Sequence, residues 1–396
     1  MKKHILILGA GVYQLPLIQK ALDLGYHVSV ASWDPDDPGM KMAHDPWVVS
    51  ITDSETLLRL AREKQINAVA TSGTDVCMPS LGLINDQLGL PGVSHKTALS
   101  CSSKDIMQRL LHEHGVPSAG FIKADTLEQA QKGAREIGYP VIVKAPDSSG
   151  SRGIQAAETP EEFKHAYENA AQTSKKDFVL VEKLLQGLEF GCQIIVDQGR
   201  VTHVLPHNDT ITPPPVSVPV GHSCPFNASE EDIDQTARVC SAAVRALGIE
   251  TAICNVDLML TRDGVYMLEI GARIGATGIP EIVNLYYGID LYSVALDMAL
   301  GRPLSITSGA GRACAYEIIQ APLSGTVRKA AVPEHILENP DVQEVRFDVA
   351  PGDQVRKFQV GPDRIGHILT TGATFQDAEQ LCRRVSAGLI MDIEQS

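Results

Sequence analysis

The 396-residue sequence lacks the features that would place it in a membrane, on a nucleic acid or in a disulfide scaffold. No apolar run approaches the roughly 20 residues of a membrane-spanning helix. The N-terminal Met1-Lys-Lys-His-Ile-Leu-Ile-Leu-Gly9 begins like a secretion signal, but its apolar run stops at Gly9, too short for the core of one. Positive charge is scarce: 34 Lys and Arg stand against 48 Asp and Glu, for a formal charge of −14. That balance excludes a broad nucleic-acid or anionic-membrane surface, because such binding needs clustered cations to displace counterions. Any anionic ligand must therefore be met locally. Cys77, Cys101, Cys192, Cys224, Cys240, Cys254, Cys314 and Cys382 show no C-x-x-C spacing. In a chain large enough for two or three cores they are expected to be free thiols of a cytoplasmic protein, neither disulfides nor zinc ligands. No internal repeat or low-complexity tract stands out, and no Ser or Cys has a convincing base beside it.

What is present begins with alternating strands and helices: His4–Leu8, Leu15–Leu24, His27–Ala31, Ser54–Lys64 and Ala68–Thr71. This βαβ rhythm predicts a parallel sheet covered on both faces. Gly9-Ala-Gly11 follows the first strand, where a phosphate could rest on a helix N-terminus. The dinucleotide fingerprint would want glycine at position 14, which is Gln14, and Asp34 lies in a Pro/Asp-rich stretch that reads as loop. A nicotinamide-dependent oxidoreductase is thus an alternative with a broken motif. The stretch 88–94 interrupts the rhythm, and Lys96 to His114 then reads as one helix ending at Gly115. His203 to Pro215 is too rich in proline for a helix or a central strand, and is expected to be a loop facing substrate; His203 and His207, four apart on non-helical backbone, are poor metal-site evidence.

The chemistry concentrates in Asn255-Val-Asp257 to Glu269-Ile-Gly271-Ala-Arg273. Val256–Leu260 and Val265–Ile270 read as strands joined by Arg262-Asp263-Gly264, a hairpin turn of the Asp-Gly kind. Side chains alternate along a strand, so Asn255 and Asp257 share one face, and folding the hairpin brings Asp257 towards Glu269. Two carboxylates that close repel unless a cation sits between them, and a small set of hard oxygen ligands suits Mg²⁺ carried in with nucleotide phosphates. Upstream, Gly138-Tyr-Pro-Val-Ile-Val-Lys144 delivers a lysine on a strand end, where it can pair with polyphosphate without the entropy loss of a mobile loop. Asp147-Ser-Ser149-Gly150-Ser-Arg-Gly153 follows, a Gly/Ser loop whose amides can wrap phosphate.

On these residues the chain resembles the ATP-grasp ligases. Their phosphate and metal hairpin carries an acid, an Asp-Gly turn, a second acid and then E-x-N-x-R, matched here by Asp257, Asp263-Gly264, Glu269 and Arg273, with Gly271 standing where the family's Asn helps hold a second Mg²⁺. Asn255, water, or Glu269 alone are the alternatives for that role. The resemblance further implies that Lys104 and Lys144 meet phosphates and that Ser149, Gly150 and Gly153 belong to the phosphate lid. Glu182, Lys183, Leu184 and Leu185 become the adenine hinge, Glu189 the ribose partner, Asp257 and Glu269 the metal ligands, and Arg273 the stabiliser of an acyl phosphate.

The implied architecture is α/β and α+β: a Rossmann-like N-terminal domain (1–95), a two-lobed ATP-grasp domain (96–305, small lobe about 116–180 and large lobe about 181–305), and a small C-terminal α+β domain (306–396) with short strands and a helix from Asp377 to about Ile390. The implied reaction uses ATP with Mg²⁺, or Mn²⁺ in its place. It activates a small-molecule carboxylate as an acyl phosphate and joins it to an amine, releasing ADP. A purine-pathway carboxylating or formylating enzyme and a non-catalytic ATP-binding regulator are the other readings. A homodimer is expected, with no nucleic-acid or membrane partner.

Overall fold

A computed structural model describes residues 2–146, 153–212 and 218–395. The N-terminal sheet is parallel, in the order Asp45–Val48, His27–Ser32, His4–Leu8, Ala68–Ala70. Alternation along its strands feeds two cores: Leu6 and Leu8 enter one apolar cluster, Ile5 and Ile7 the other. The first cluster continues without a break into Phe190, Val256 and Met267, so the N-terminal sheet and the hairpin region share one core.

A second sheet, antiparallel and four-stranded, is ordered Phe121–Ala124, Val179–Lys183, Val141–Lys144, Ile154–Ala157, with its own core around Phe163. The largest sheet has eight antiparallel strands. It runs Gly264–Gly271, Ala252–Thr261, Leu188–Asp197, Arg200–Ile211, Pro219–Cys224, Ala313–Gln320, Arg364–Gly372, Val342–Phe347. The pairing of Pro219–Cys224 with Ala313–Gln320 crosses the boundary expected near residue 305, so strands assigned to the C-terminal domain extend the large-lobe sheet. A three-stranded sheet completes that end. No helix among the described residues is long and apolar enough to cross a membrane.

Three local expectations are corrected. The helix over 96–114 is two helices, His95–Ser102 and Lys104–Glu113, broken at Ser103, whose φ of −109° and ψ of 107° are extended. Ser100 and Ser102 return their hydroxyls to the carbonyls of Lys96 and Ala98, the back-bonding by which serine weakens a helix. The proline-containing stretch from His203 is part of a central strand up to Ile211. Pro206 fits because its carbonyl faces Tyr287 Oη, which donates to it at 2.7 Å. A strand residue points N and C=O to the same side, so its missing N–H falls where the next strand's pairing, beginning at Asn208, has not yet started. The Pro213–Pro215 end of that expectation lies outside the described residues. Finally, the last helix stops at Gly388, and Ile390–Glu394, alternating in exposure, pairs as a strand with Gly325–Ala331.

Candidate active site

The hairpin places its acids by register. Asp257 lies opposite Glu269, and the next pair is Leu258 with Met267, so Leu268 bulges out of the ladder. The bulged carbonyl is not orphaned: Gln108 Nε2 donates to it at 3.1 Å. One turn earlier on the same helix face, Lys104 Nζ forms an ion pair with Glu269. The break at Ser103 thus matters, because it starts a new helix whose Lys104 and Gln108 both turn onto the bulge.

The pairing extends across the sheet as a row: Glu269, Asp257, Gly191, His207. Directly paired residues share a face, so His207 projects beside the two acids. Gly191 makes this possible, since a Cβ there would stand 2.0 Å from the His207 ring. His207 Nδ1 and His222 Nδ1 lie 2.9 Å and 2.6 Å from the same oxygen of Asp209, while His207 Nε2 is buried without a partner among the described residues. This cluster is invisible in the residue order, because His222 and Gly191 are brought to His207 only by strand pairing.

Electrostatics separate the two hairpin acids. Burial, reinforced by Glu269 and Asp209, lifts the Asp257 carboxyl to about 7. Burial also pushes Glu269 upward, but Lys104, Lys144 and Arg273 outweigh it and hold that carboxyl below its ordinary value. Two facing acids, one carboxyl raised and the other held low only by neighbouring cations, are a pair that an added cation would relieve, so the residues fit a divalent ion. Asn255 Nδ2 donates to Asp257 Oδ1 at 3.1 Å. Gln193 orients it, donating to Asn255 Oδ1 at 2.6 Å and accepting from Gly275 N at 2.9 Å. This chain ties the segment after Arg273 to the hairpin acid.

Gly271 pairs with Asn255, and its missing side chain has an explanation. A Cβ there would lie 2.6 Å from Asp75 Oδ1, so the N-terminal domain's Asp75 occupies the space. Its other oxygen accepts from Arg273 Nη2 at 2.6 Å, and Arg273 Nε stays buried without a partner among the described residues. Asp75 and Gln193 were not foreseen from sequence.

In the small lobe, Lys144 Nζ donates to Glu182 at 2.5 Å. Ala145 N donates to Gly153 O at 2.8 Å, closing the base of the Gly/Ser loop, while Ser149 and Gly150 lie outside the described residues. At the expected adenine hinge, Lys183 N and Leu184 N donate to Gly120 O and Pro140 O, and Lys183 Nζ turns to the carbonyls of Gly138 and Tyr139. Those amides and that ammonium are therefore committed to the lobe itself. Glu189 is exposed; partial burial and Asp209 raise its carboxyl, against an opposing pull from Lys144. Lys144 from one lobe and Glu269 from the other thus act on each other's side of a common cleft.

At the first strand, Gln14 fills the turn where a dinucleotide phosphate would rest. Its Oε1 accepts from Gly11 N at 3.0 Å and its Nε2 donates to Ser72 O at 2.5 Å, with the side chain buried.

Comparison with known proteins identifies the family. The family model described as "Carbamoyl-phosphate synthase L chain, ATP binding domain" matches residues 102–307, just over half of the chain. The chain belongs to this ATP-grasp family. Family membership makes it an ATP-dependent, carbon–nitrogen bond-forming ligase. A second family model, the L-amino acid ligase C-terminal domain 2, matches 317–394. Among solved structures, a phosphoribosylglycinamide synthetase from Anaerococcus prevotii is similar at 26% identity and a TM-score of 0.86, covering all of both chains. An L-amino acid ligase from Bacillus licheniformis shares the fold at 22% identity and a TM-score of 0.83, covering 100% of this chain and 99% of that one. Among curated relatives, a formate-dependent phosphoribosylglycinamide formyltransferase from Sulfurisphaera tokodaii is 23% identical over 395 residues, covering 97% of this chain and 96% of its own length.

Proposed function

We propose that the cleft transfers the γ-phosphate of ATP to a small-molecule carboxylate and passes the resulting acyl group to an amine, with ADP and phosphate as products. The observation that carries the site assignment is the register pair Asp257–Glu269, with Lys104 on Glu269 and Arg273 held two residues beyond the hairpin. Asp257 and Glu269 would hold Mg²⁺, which when bound neutralises polyphosphate charge and polarises the transferred phosphoryl group. Lys144 and Lys104 leave their acids for phosphate oxygens when nucleotide enters. Gly153 closes the base of the phosphate loop, to which Ser149 and Gly150 belong by sequence. Glu182 and the backbone at Lys183 to Leu185 border the adenine, whose amide contact would fall to Leu185 because the two preceding amides are engaged. Glu189 accepts from ribose hydroxyls. Arg273, oriented by Asp75, stabilises the acyl phosphate and the oxyanion formed as amine attacks.

The full-length similarity to the formate-dependent enzyme favours a second reading within the same chemistry, with formate as the carboxylate. Measuring ADP release with a panel of carboxylates and hydroxylamine as a general acceptor tests both. Turnover with any carboxylate supports the ligase reading, and turnover with formate alone selects the second. The domain limits 1–95, 96–305 and 306–396 remain our assignment, testable by limited proteolysis. A homodimer is part of the proposal, checked by light scattering. Cytoplasmic residence is supported by eight buried cysteines that form no disulfide.

A further inference from the structure

His4, His27 and Asp45 are the first residues of three neighbouring parallel strands. His4 pairs with His27, and Ser29, two residues further on, pairs with Asp45, so all four stand on one face at the rim where these strands begin. Further along the same face, Leu6, Leu8, Ala31 and Trp47 enter the core. The two imidazoles and the carboxylate are half-buried at its edge, and their ligating atoms lie within 4.8 Å of one another. The reaction cleft meets the other rim, where Asp75, which holds Arg273, follows the far end of the strand Ala68–Ala70. Neither phosphate binding nor acyl transfer accounts for this cluster.

Hydrogen bonding sets which ring nitrogens are free to ligate. His4 Nδ1 lies 3.2 Å from the carbonyl of Lys64, the residue that ends the helix Ser54–Glu63. A carbonyl only accepts, so Nδ1 carries the proton and Nε2 the lone pair of the neutral ring. Metal-bound histidines are held in the same way, with the second nitrogen donating to a carbonyl. Nε2 accepts from Ser29 Oγ at 2.8 Å, and that hydroxyl has another acceptor in Asp45 Oδ2, at 3.4 Å, once Nε2 is taken. The His27 ring has no hydrogen-bond partner among the described residues; it meets the His4 ring edge-on at 4.5 Å and stacks on His44 at 4.9 Å. His44 plays the supporting part, because its Nδ1 lone pair accepts from Val28 N at 3.2 Å. Asp45 gathers Trp47 Nε1, at 3.0 Å, and the half-exposed Lys64 Nζ, at 3.2 Å, on Oδ2, which leaves Oδ1 without a hydrogen bond among the described residues.

We infer that His4, His27 and Asp45 form a site for a divalent transition-metal ion of the zinc class, completed by water, which clamps three strands together at the rim remote from the cleft. Imidazole donors favour such an ion over Mg²⁺. Two histidines and a carboxylate with an open fourth position are a zinc ligand set, and bonds of about 2.0–2.1 Å draw the three side chains closer by rotation at a half-exposed rim. The site is independent of the ligase reading, since no cleft residue takes part in it.

The test uses the full chain, stripped with EDTA and kept in excess Mg²⁺ so that a hard cation occupies the hairpin acids. Calorimetric titration with Zn²⁺ should show saturable binding, and Zn²⁺ should raise Tm because the ion binds only the folded sheet. His4→Asn and His27→Asn, each checked for an unaltered metal-free Tm, should weaken Zn²⁺ by about tenfold or more, the scale on which even outer partners of a metal shell act. His222→Asn, which breaks the other His–Asp–His group, should leave that affinity unchanged. Anomalous scattering at the zinc edge, from wild-type crystals grown with Zn²⁺, needs no variant and should place the ion between His4, His27 and Asp45. Absence of Zn²⁺ binding overturns the inference, as does an affinity unchanged in both rim variants or an anomalous peak elsewhere with none at this rim.

Discussion

Two lysines meet two carboxylates in this cleft, and the pairs are built differently. Lys144 and Glu182 are 38 positions apart, on adjacent strands of one four-stranded sheet, with Ile142 opposite Glu182. Their meeting is the diagonal contact that antiparallel pairing provides on one face. Lys104 and Glu269 are 165 positions apart, on a helix and a hairpin that touch only because the helix restarts at Ser103 and seats Gln108 on a β-bulge. The first pair is a property of one lobe, whereas the second depends on how separate elements dock. Nucleotide must compete for both lysines, so the small-lobe pair should govern ATP affinity and the hairpin pair should govern chemistry.

The largest effect that can break this division is expected at Glu269. Glu269→Gln removes one of two facing acids at nearly constant volume, and should cost about 10²-fold or more in kcat, the scale of losing an electrostatic stabiliser. Near-normal ADP production by a folded variant would contradict the assignment. Arg273→Met should come next, with a similar fall in kcat and a Kd for a non-hydrolysable Mg·ATP analogue within a few-fold of wild type, as for an interaction made mainly in the transition state. Lys144→Met should do the reverse, weakening that analogue by about tenfold or more in calorimetry through loss of a charge-assisted contact. Equal losses of affinity in both variants would erase the distinction between the two sides.

Gln108→Leu sharpens the comparison. It leaves every charge in place and removes the donor to the Leu268 carbonyl, and should lower kcat about 2–10-fold, the net worth of one hydrogen bond. The smallest effect is in pH. The Asp257 carboxyl is raised to about 7 in the folded chain, above its unfolded value of about 3.9. The metal-free protein therefore loses this contribution to stability as pH climbs from about 4 to 7, and loses no more of it beyond. Mg²⁺ displaces the same proton, so the rise in Tm on adding Mg²⁺ should be greater at pH 8 than at pH 6. An equal rise at both would exclude Asp257 as a ligand.

The hairpin was legible because its information is local: a two-residue period, an Asp-Gly turn and acids on matching faces within twenty residues. The N-terminal sheet was legible for the same reason. The bulge at Leu268 was not, since nothing in the strand's own residues reveals that Gln108 waits for an extra carbonyl. Nor was the row from Glu269 to His207, which joins four strands and needs Gly191 to leave space for a ring. Gly271 read as a departure from the family's pattern. The structure turns it into a vacancy that Asp75 fills from another domain. Proline at 206 misled because strand membership was judged by residue type, while the direction of its carbonyl decides whether the sheet tolerates it.

The central claim, that a carboxylate attacks ATP in this cleft, is tested most directly by oxygen tracing. The carboxylate that best supports ADP release is prepared with ¹⁸O in both oxygens and incubated with Mg·ATP and an amine acceptor, and the liberated phosphate is examined by ³¹P NMR. An acyl phosphate hands one carboxylate oxygen to the phosphate when the amine displaces it, so each turnover should yield phosphate carrying one ¹⁸O. Phosphate without label, released in step with product, would contradict the account.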